Sequence, residues 1–383
     1  MFNYQQNNRY FAQIAGGMEA LGAEELAELG AEEISPAYRG LYFSADQAAL
    51  YRINYCSRLL TRVLAPLISF GCHKTDVLYS KAKTIEWKNL LTPQQTFAIF
   101  ANVSHSKITH SKFAALRLKD AIADYFQESF RLRPSVDTQN PDIWLNLHLE
   151  NNRATISLDT SGASLHKRGY RKQSMEAPMQ ETLAAAIIRL SEWNGKTPLH
   201  DPFCGSGTLL CEALMQQAGI PAAYLRNEFG FQKLPDFDQE IWQSVKTTAD
   251  EKIEKLSGAS LKGKINGSDL SYKSIAAAKK NVRQLPHGEA IKLKKLDFRE
   301  IAQLENAVII ANPPYGIRMG HEKDMNALYK ELGDFLKRRC QGSTAFIYFG
   351  ERALIPKIGL RPSWKKPLVN GSLDGRLCKF EIY

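Results

Sequence analysis

The segment Asn312-Pro313-Pro314-Tyr315-Gly316 follows an apolar run, Val308-Ile309-Ile310-Ala311. Its residue types suit one difficult reaction, alkylation of an exocyclic amine on a planar base. Such a nitrogen is a poor nucleophile because its lone pair is delocalised into the ring. Two acceptors, the Asn312 side-chain oxygen and the Pro313 carbonyl, can hold its protons, favour a pyramidal nitrogen and aim the lone pair for in-line attack. Proline has no backbone donor, and its fixed φ presets the loop. Tyr315 can stack on the face of the base. No covalent enzyme intermediate is needed. Alkylation at ring carbon 5 would instead require a cysteine nucleophile, and no Pro-Cys pair is present.

An electrophile must be held nearby. Asp201-Pro202-Phe203-Cys204-Gly205-Ser206-Gly207-Thr208 lies between a short strand pattern and a helix pattern that starts near 209. Glycines at such a turn let the backbone approach a ligand closely, and the helix start offers free N–H groups. The string is neither the full dinucleotide fingerprint nor a phosphate loop, since no Gly-Lys-Ser/Thr follows. Asp269 ends another strand pattern, ahead of a helix at 274. A carboxylate there either accepts hydrogen bonds from both hydroxyls of a ribose or caps the helix. Asp297 and Phe298 end a further strand. The distance from Gly207 to Asp269 exceeds a minimal β-α-β unit, so 229–242 reads as an insertion.

These motifs need a framework that brings strand ends together. Strand patterns cover 198–200, 264–266, 291–296, 308–311, 345–349, 366–369 and 377–382. Helix patterns cover 181–193, 209–217, 274–285 and 327–339. Strands interleaved with helices of about 10–15 residues imply a doubly wound α/β sheet. Toward the N-terminus, strands at 10–14, 40–43 and 62–70 alternate with helices at 18–29 and 46–55, a small ferredoxin-like module. A helix at 74–90, a strand at 96–103, a basic helix at 111–126 and strands at 143–149 and 154–158 follow. The basic helix is read with Lys112, Arg117 and Lys119 on a stripe opposite Phe113, Leu116 and Ile122. The linker at 164–171 carries Lys167, Arg168, Tyr170 and Arg171. Charge with an aromatic suits a nucleic-acid contact, and equally a solvated connector.

Composition narrows the class. Hydrophobic residues make up 44% and charged residues 23%, which excludes long disorder. The six cysteines form no Cys-x-x-Cys pair, so neither a zinc site nor a disulfide framework is expected, and no metal. With no charged-then-apolar leader and no apolar run of about 18 residues, a cytoplasmic placement is expected. The net charge of +10 is unevenly spread. Residues 1–57 carry 3 basic and 7 acidic side chains, and 58–133 carry 12 and 5. Residues 134–160 carry 1 and 4, and 161–383 carry 34 and 24. The basic segments suit a phosphate-bearing partner.

The string Asp201–Thr208 resembles motif I of amino-methyltransferases, which holds the amino-acid end of S-adenosylmethionine. With Asn312–Gly316, the linker 166–171, Ala177-Pro178 and the run Glu181 to Ala186, nearly the whole chain resembles the bacterial family related to the RlmL large-subunit rRNA guanine-N2 methyltransferases. Members of this family are often labelled N6-adenine-specific DNA methylases. The resemblance implies three parts: a ferredoxin-like module (1–57), a THUMP-like RNA-binding domain (58–165) and a Rossmann-like methyltransferase domain (166–383). It implies that Asp201, Phe203, Gly205, Gly207, Thr208, Asp269, Asp297 and Phe298 hold S-adenosylmethionine. Asp297 would bond the adenine amino group, with Phe298 packed nearby. It implies an RNA partner, large-subunit rRNA, with Asn312, Pro313 and Tyr315 at the target base. Longer relatives fuse a second methyltransferase domain, so one methylation is expected here. The rivals are adenine-N6 methylation of DNA, since Asn-Pro-Pro-Tyr serves both bases, and a non-catalytic RNA-binding or assembly protein.

Overall fold

The computed structural model describes every residue except 176–177, 256–260, 316–321 and 372, and no side chain of 254–255 or 322–324. The chain divides into two compact units. One comprises residues 1–14, 22–165 and 226–245, the other residues 15–21, 166–225 and 246–383. Each has its own sheet.

The first unit is built on an eight-stranded sheet. Its strands are β1 (Arg9–Ile14), β2 (Glu32–Ala37), β3 (Gly40–Ser44), β4 (Leu60–Gly71), β5 (Thr96–Ser104), β6 (Ser135–Val136), β7 (Ile143–Glu150) and β8 (Arg153–Asp159). They run in the order β2-β3-β1-β4-β8-β7-β5-β6. The 12-residue β4 joins the two modules: its first half pairs with β1 at Leu60–Leu64 and its second half with β8 at Leu64–Gly71. Helices α1 (Asn3–Asn7), α2 (Glu19–Glu28), α3 (Gln47–Cys56), α4 (Thr75–Lys83) and α5 (Ser111–Phe130) complete the elements up to β6.

The sequence patterns missed α1 and β2. Edge strand β2 has no buried side chain and a register shift between Glu32 and Ser35, so it shows no alternation to read. The basic helix also faces differently from expectation. Its core side is Ala114, Leu118, Ala121, Ile122 and Phe126, while Phe113 and Leu116 are 55% and 45% exposed. The 3.6-residue period puts Leu116 between Lys112 and Lys119 on the solvent side.

Residues 226–245 belong to the first unit although they lie within the run of the second in sequence. Phe229, Phe231 and Trp242 form an aromatic cluster with Tyr51 and Tyr55, with ring centroids 4.5–6.4 Å apart. Helix α8 (Gln239–Lys255) was not expected. Its buried Trp242, Val245, Ala249 and Ile253 follow the 3-4-4 spacing of a helix face, a signal present in the sequence.

In the second unit β9 (Leu199–Asp201), β10 (Ile265–Asp269), β11 (Ile291–Lys295), β12 (Val308–Ala311), β13 (Thr344–Phe349), β14 (Trp364–Asn370) and β15 (Leu373–Glu381) form one sheet. The order is β11-β10-β9-β12-β13-β15-β14. The first five strands are parallel, and β15 runs antiparallel to both neighbours. Helices α6 (Glu181–Leu190), α7 (Thr208–Gln217), α9 (Tyr272–Val282) and α10 (Glu322–Arg339) follow the expected alternation. Strand order reverses between β9 and β12, and a crevice at the carboxyl ends of these strands is the usual ligand position in an open α/β sheet. Among the described residues, no helix is long and apolar enough to cross a membrane.

Glu25 on α2 shows how a buried charge holds the first unit. Its carboxylate accepts from Ser57 Oγ at 2.6 Å, Arg58 N at 2.8 Å and Leu59 N at 3.1 Å, at the entry to β4. Glu25→Ala leaves two backbone donors without this acceptor. It should lower stability by roughly 2–4 kcal/mol, measured by chemical denaturation and by faster amide exchange at Arg58 and Leu59. Unchanged stability would show that these bonds are not what fixes the start of β4.

Candidate active site

A cleft of about 700 Å³ opens at the carboxyl ends of β9, β10 and β12. The turn after β9 forms its floor. Gly205 and Gly207 both have left-handed backbones, φ +53° and +84°, which an L side chain would strain. A Cβ on Gly207 would also press to 3.3 Å on Ala278 of α9. Gly207 therefore lets α7 and α9 approach one another and does not itself line the cleft.

Asp201, at the end of β9, is buried, and its carboxylate accepts from Phe203 N at 3.0 Å. Burial pushes its pKa up to about 8; the nearby charge of Asp269 adds to this, and the Phe203 N–H opposes it. Asp269 accepts from Gly205 N at 2.9 Å through one oxygen and from Ser271 N at 2.8 Å through the other. It is not the cap of α9. That role falls to Ser271, whose hydroxyl accepts from Ser274 N. Each Asp269 oxygen keeps a lone pair free beside the cleft.

The wall next to Asp269 is aromatic. Phe203 and Phe298 both line it, with ring centroids 5.1 Å apart. Asp297 accepts from Arg299 N at 2.9 Å and pairs with the Arg299 guanidinium at 3.0 Å. Thr208 lines the cleft, as do Met175, Pro178 and Met179 from the linker and Leu270 beside Asp269. Sequence patterns had given Leu270 and the two methionines no role.

At the end of β12, Asn312 lines the cleft. Its Oδ1 is buried and has no hydrogen-bond partner among the described residues. A buried acceptor with no partner costs about 1–3 kcal/mol, and a ligand donor would relieve that cost. Pro314 also lines the cleft, and its carbonyl accepts from Tyr329 Oη at 3.4 Å. Pro313 is buried and does not line it. Tyr315 departs from the stacking role expected of it. It is 6% exposed, away from the cleft wall, with its ring against Gly350 and 6.3 Å from Tyr348. Gly316 lies outside the described residues.

The linker residues expected to touch nucleic acid are mostly internal. Arg168 and Tyr170 are buried at 1% and 0% exposure. Both meet Glu212 of α7, at 3.5 Å and 3.0 Å. Arg171 donates to Thr208 Oγ1 and to the Met179 carbonyl, and pairs with Glu181 at 3.5 Å. The basic residues and the tyrosine are there because α6 and α7 bury carboxylates that need partners. Lys167 alone of the four is exposed, and Ala177 lies outside the described residues. On α5, Arg117 stacks on Tyr79 at 4.2 Å and pairs with Asp76, Lys119 pairs with Asp120, and Lys112 is exposed.

Asn281 escaped the sequence reading altogether. Fully buried on α9, it accepts from Lys172 N and Gln173 N, and donates to the Gln173 and Ser206 carbonyls, all at 2.9–3.0 Å. A polar residue on the apolar face of a helix, one turn from Ala277 and Ala278, was the available signal.

A family model described as "RMKL-like, methyltransferase domain" matches residues 168–379. A THUMP domain model matches 72–159 and an RlmL ferredoxin-like model 9–64. The chain is 42% identical to slr0064 of Synechocystis sp., described as an RNA methyltransferase, over 98% of this chain and 97% of that one. It is 37% identical to the ribosomal RNA large subunit methyltransferase K/L of Syntrophotalea carbinolica over 98% of this chain. There it spans only 53% of the relative, about half its length. Among solved structures, SMU.472, described as a methyltransferase complexed with SAH, superposes with a TM-score of 0.85 at 28% identity over 98% of both chains.

The raised pKa of Asp201 has a measurable consequence. The unfolded chain ionises this carboxyl near its ordinary value of 3.8, the folded chain only near 8. Stability contributed by the group is therefore complete below about pH 4 and is lost as pH rises to 8. Asp201→Asn removes that dependence while keeping an acceptor for Phe203 N. The ligand-free variant should be more stable than the native chain at pH 8–9, by at most about 6 kcal/mol, with the gain shrinking as pH falls. Thermal unfolding across pH measures it; a gain independent of pH would mean that Asp201 ionises normally.

Proposed function

This chain belongs to the RMKL-like methyltransferase family, and on that premise we propose that it methylates guanine N2 in large-subunit rRNA. It is an S-adenosylmethionine-dependent methyltransferase with a THUMP domain, and its substrate is RNA. The observation that carries the amine reading is the Asn312 oxygen, buried at the cleft without a hydrogen-bond partner among the described residues.

The cleft fits the cofactor. Its volume is ample for a nucleoside with an amino-acid arm. Asp269 would take the ribose hydroxyls, the Phe203–Phe298 wall the adenine, and Asp297 its amino group. Asp201, Gly205, Ser206 and Thr208 would hold the amino-acid end, in a turn whose backbone Gly207 permits. When bound, S-adenosylmethionine supplies an electrophilic methyl group.

The chain's own residues prepare the amine. Asn312 Oδ1 accepts an N–H of the target amine, while Pro313, buried behind the cleft wall, shapes the loop that carries it. Drawing that hydrogen out of the ring plane localises the lone pair on nitrogen, which bears positive charge as the bond forms. The Asn312 oxygen therefore binds the transition state more strongly than the planar ground state. Tyr329 steadies the loop through the Pro314 carbonyl. Support for large-subunit rRNA comes from the K/L relatives, whose names give that RNA; guanine N2 is what the resemblance of the sequence motifs implies.

Asn312→Ala should therefore lower the single-turnover rate by about 10²–10³-fold while cofactor and RNA still bind. Asn312→Asp, which keeps an acceptor of the same size, should retain some activity. Tritium transfer to rRNA from cells lacking the protein, followed by nucleoside mapping, reads both rate and product. An Asn312→Ala rate above about a tenth of native would end the amine-positioning role. Label in N6-methyladenine of DNA would replace the guanine-N2 assignment.

A further inference from the structure

The expected nucleic-acid contacts of the linker are mostly internal, yet the methyltransferase unit carries a large positive charge outside them. Between Leu261 and Arg299 there are ten basic residues and three acidic ones, and two of the acidic residues, Asp269 and Asp297, line the cleft. Within this segment only Glu289 remains on the outer surface, and Glu331 from α10 pairs with Arg299.

The charge is concentrated on two adjoining elements. Helix α9 packs on β10 and β11 and carries no acidic residue. Its buried face is Ser274, Ile275, Ala277, Ala278, Asn281 and Val282. Its outer face presents Tyr272, Lys273, Lys279, Lys280 and the capping Arg283, all exposed. Beside it, edge strand β11 exposes Lys292, Lys294 and Lys295. None of these seven cations forms an ion pair among the described residues. Helix-dipole stabilisation accounts for Lys279 and Lys280 in the last turn but opposes Lys273 in the first. Edge protection accounts for lysines on β11 but not for their continuation across α9. Tyr272 stands at the cleft end of this surface, 74% exposed, two residues after the cleft-lining Leu270.

We infer that the outer face of α9 and the edge of β11 form a second RNA-contact surface, on the methyltransferase unit itself, that engages the phosphate backbone of the substrate beside the target base. Charge complementarity selects the occupant: a polyanion releases its counterions to such a face, and Tyr272 offers a ring to an unpaired base at the mouth of the cleft. The inference rests on RNA being the substrate.

The test removes four charges in the full-length chain: Lys279→Gln, Lys280→Gln, Arg283→Gln and Lys292→Gln. A control removes four exposed charges elsewhere on the same unit: Lys357→Gln, Arg361→Gln, Lys365→Gln and Lys366→Gln. Binding to deproteinised large-subunit rRNA is followed against salt, and cofactor affinity by calorimetry verifies the fold. The α9–β11 variant should lose at least about tenfold in affinity at low salt, and the slope of log affinity against log salt should fall by about 3. The control should lose far less. Native affinity and slope in the α9–β11 variant, or an equal loss in the control, overturns the inference even if the native enzyme methylates RNA. If the native chain transfers no methyl to any RNA while the α9–β11 variant still loses binding selectively, the proposed reaction falls and this contact surface stands.

Discussion

Four hydrogen bonds from one buried amide tie the catalytic unit together. Asn281 on α9 saturates its side chain on the linker at Lys172 and Gln173 and on the Ser206 carbonyl in the turn after β9. An amide in this position would be costly with any bond unmade, so helix, linker and turn are held in one arrangement. The turn then offers Gly205 N to Asp269, which fixes a carboxylate at the cleft. The linker beyond Gln173 supplies Met175, Pro178 and Met179 to the cleft wall. Rigid support of this kind lets electrostatic groups act without reorganising during reaction.

Charge in the protein serves two different ends. Arg168, Tyr170 and Arg171 are spent inside, where Glu212 and Glu181 on α7 and α6 need partners. Burial still pushes the Glu181 carboxyl up, even with Arg171 beside it. The Glu181 and Glu212 Oε2 atoms have no hydrogen-bond partner among the described residues. Such a network adds little stability by itself, but it holds the linker against the helix that follows the turn after β9. Among the described residues the outer lysines of α9 and β11 have no ion-pair partner, so their field acts on solvent.

The first unit is organised by continuity of strands. Because β4 pairs with β1 along one half and β8 along the other, the ferredoxin-like and THUMP sheets are one sheet. The insertion at 226–245 adds a cluster of aromatic rings to the same unit. Its Phe229, Phe231 and Trp242 pack with Tyr51 and Tyr55, residues distant in sequence.

Composition and periodicity determined a good deal by themselves. The alternating strands and helices of the second unit, the glycine turn after Asp201 and the Asn-Pro-Pro-Tyr loop are local patterns set by local physics: side-chain period, glycine backbone freedom and proline rigidity. Tertiary structure decided what depends on partners far along the chain. Arg168 and Tyr170 look like surface residues until Glu212 is placed opposite them. Phe113 and Leu116 look like core until Leu118, Ile122 and Phe126 claim that side of the helix. Tyr315 looks like a stacking residue until Gly350 leaves room for its ring. An isolated sequence gives a residue's chemistry and its period along an element. It does not give which neighbour removes it from water, and burial by that neighbour is what turns a charge inward or sets a carboxyl such as Asp201 near pH 8.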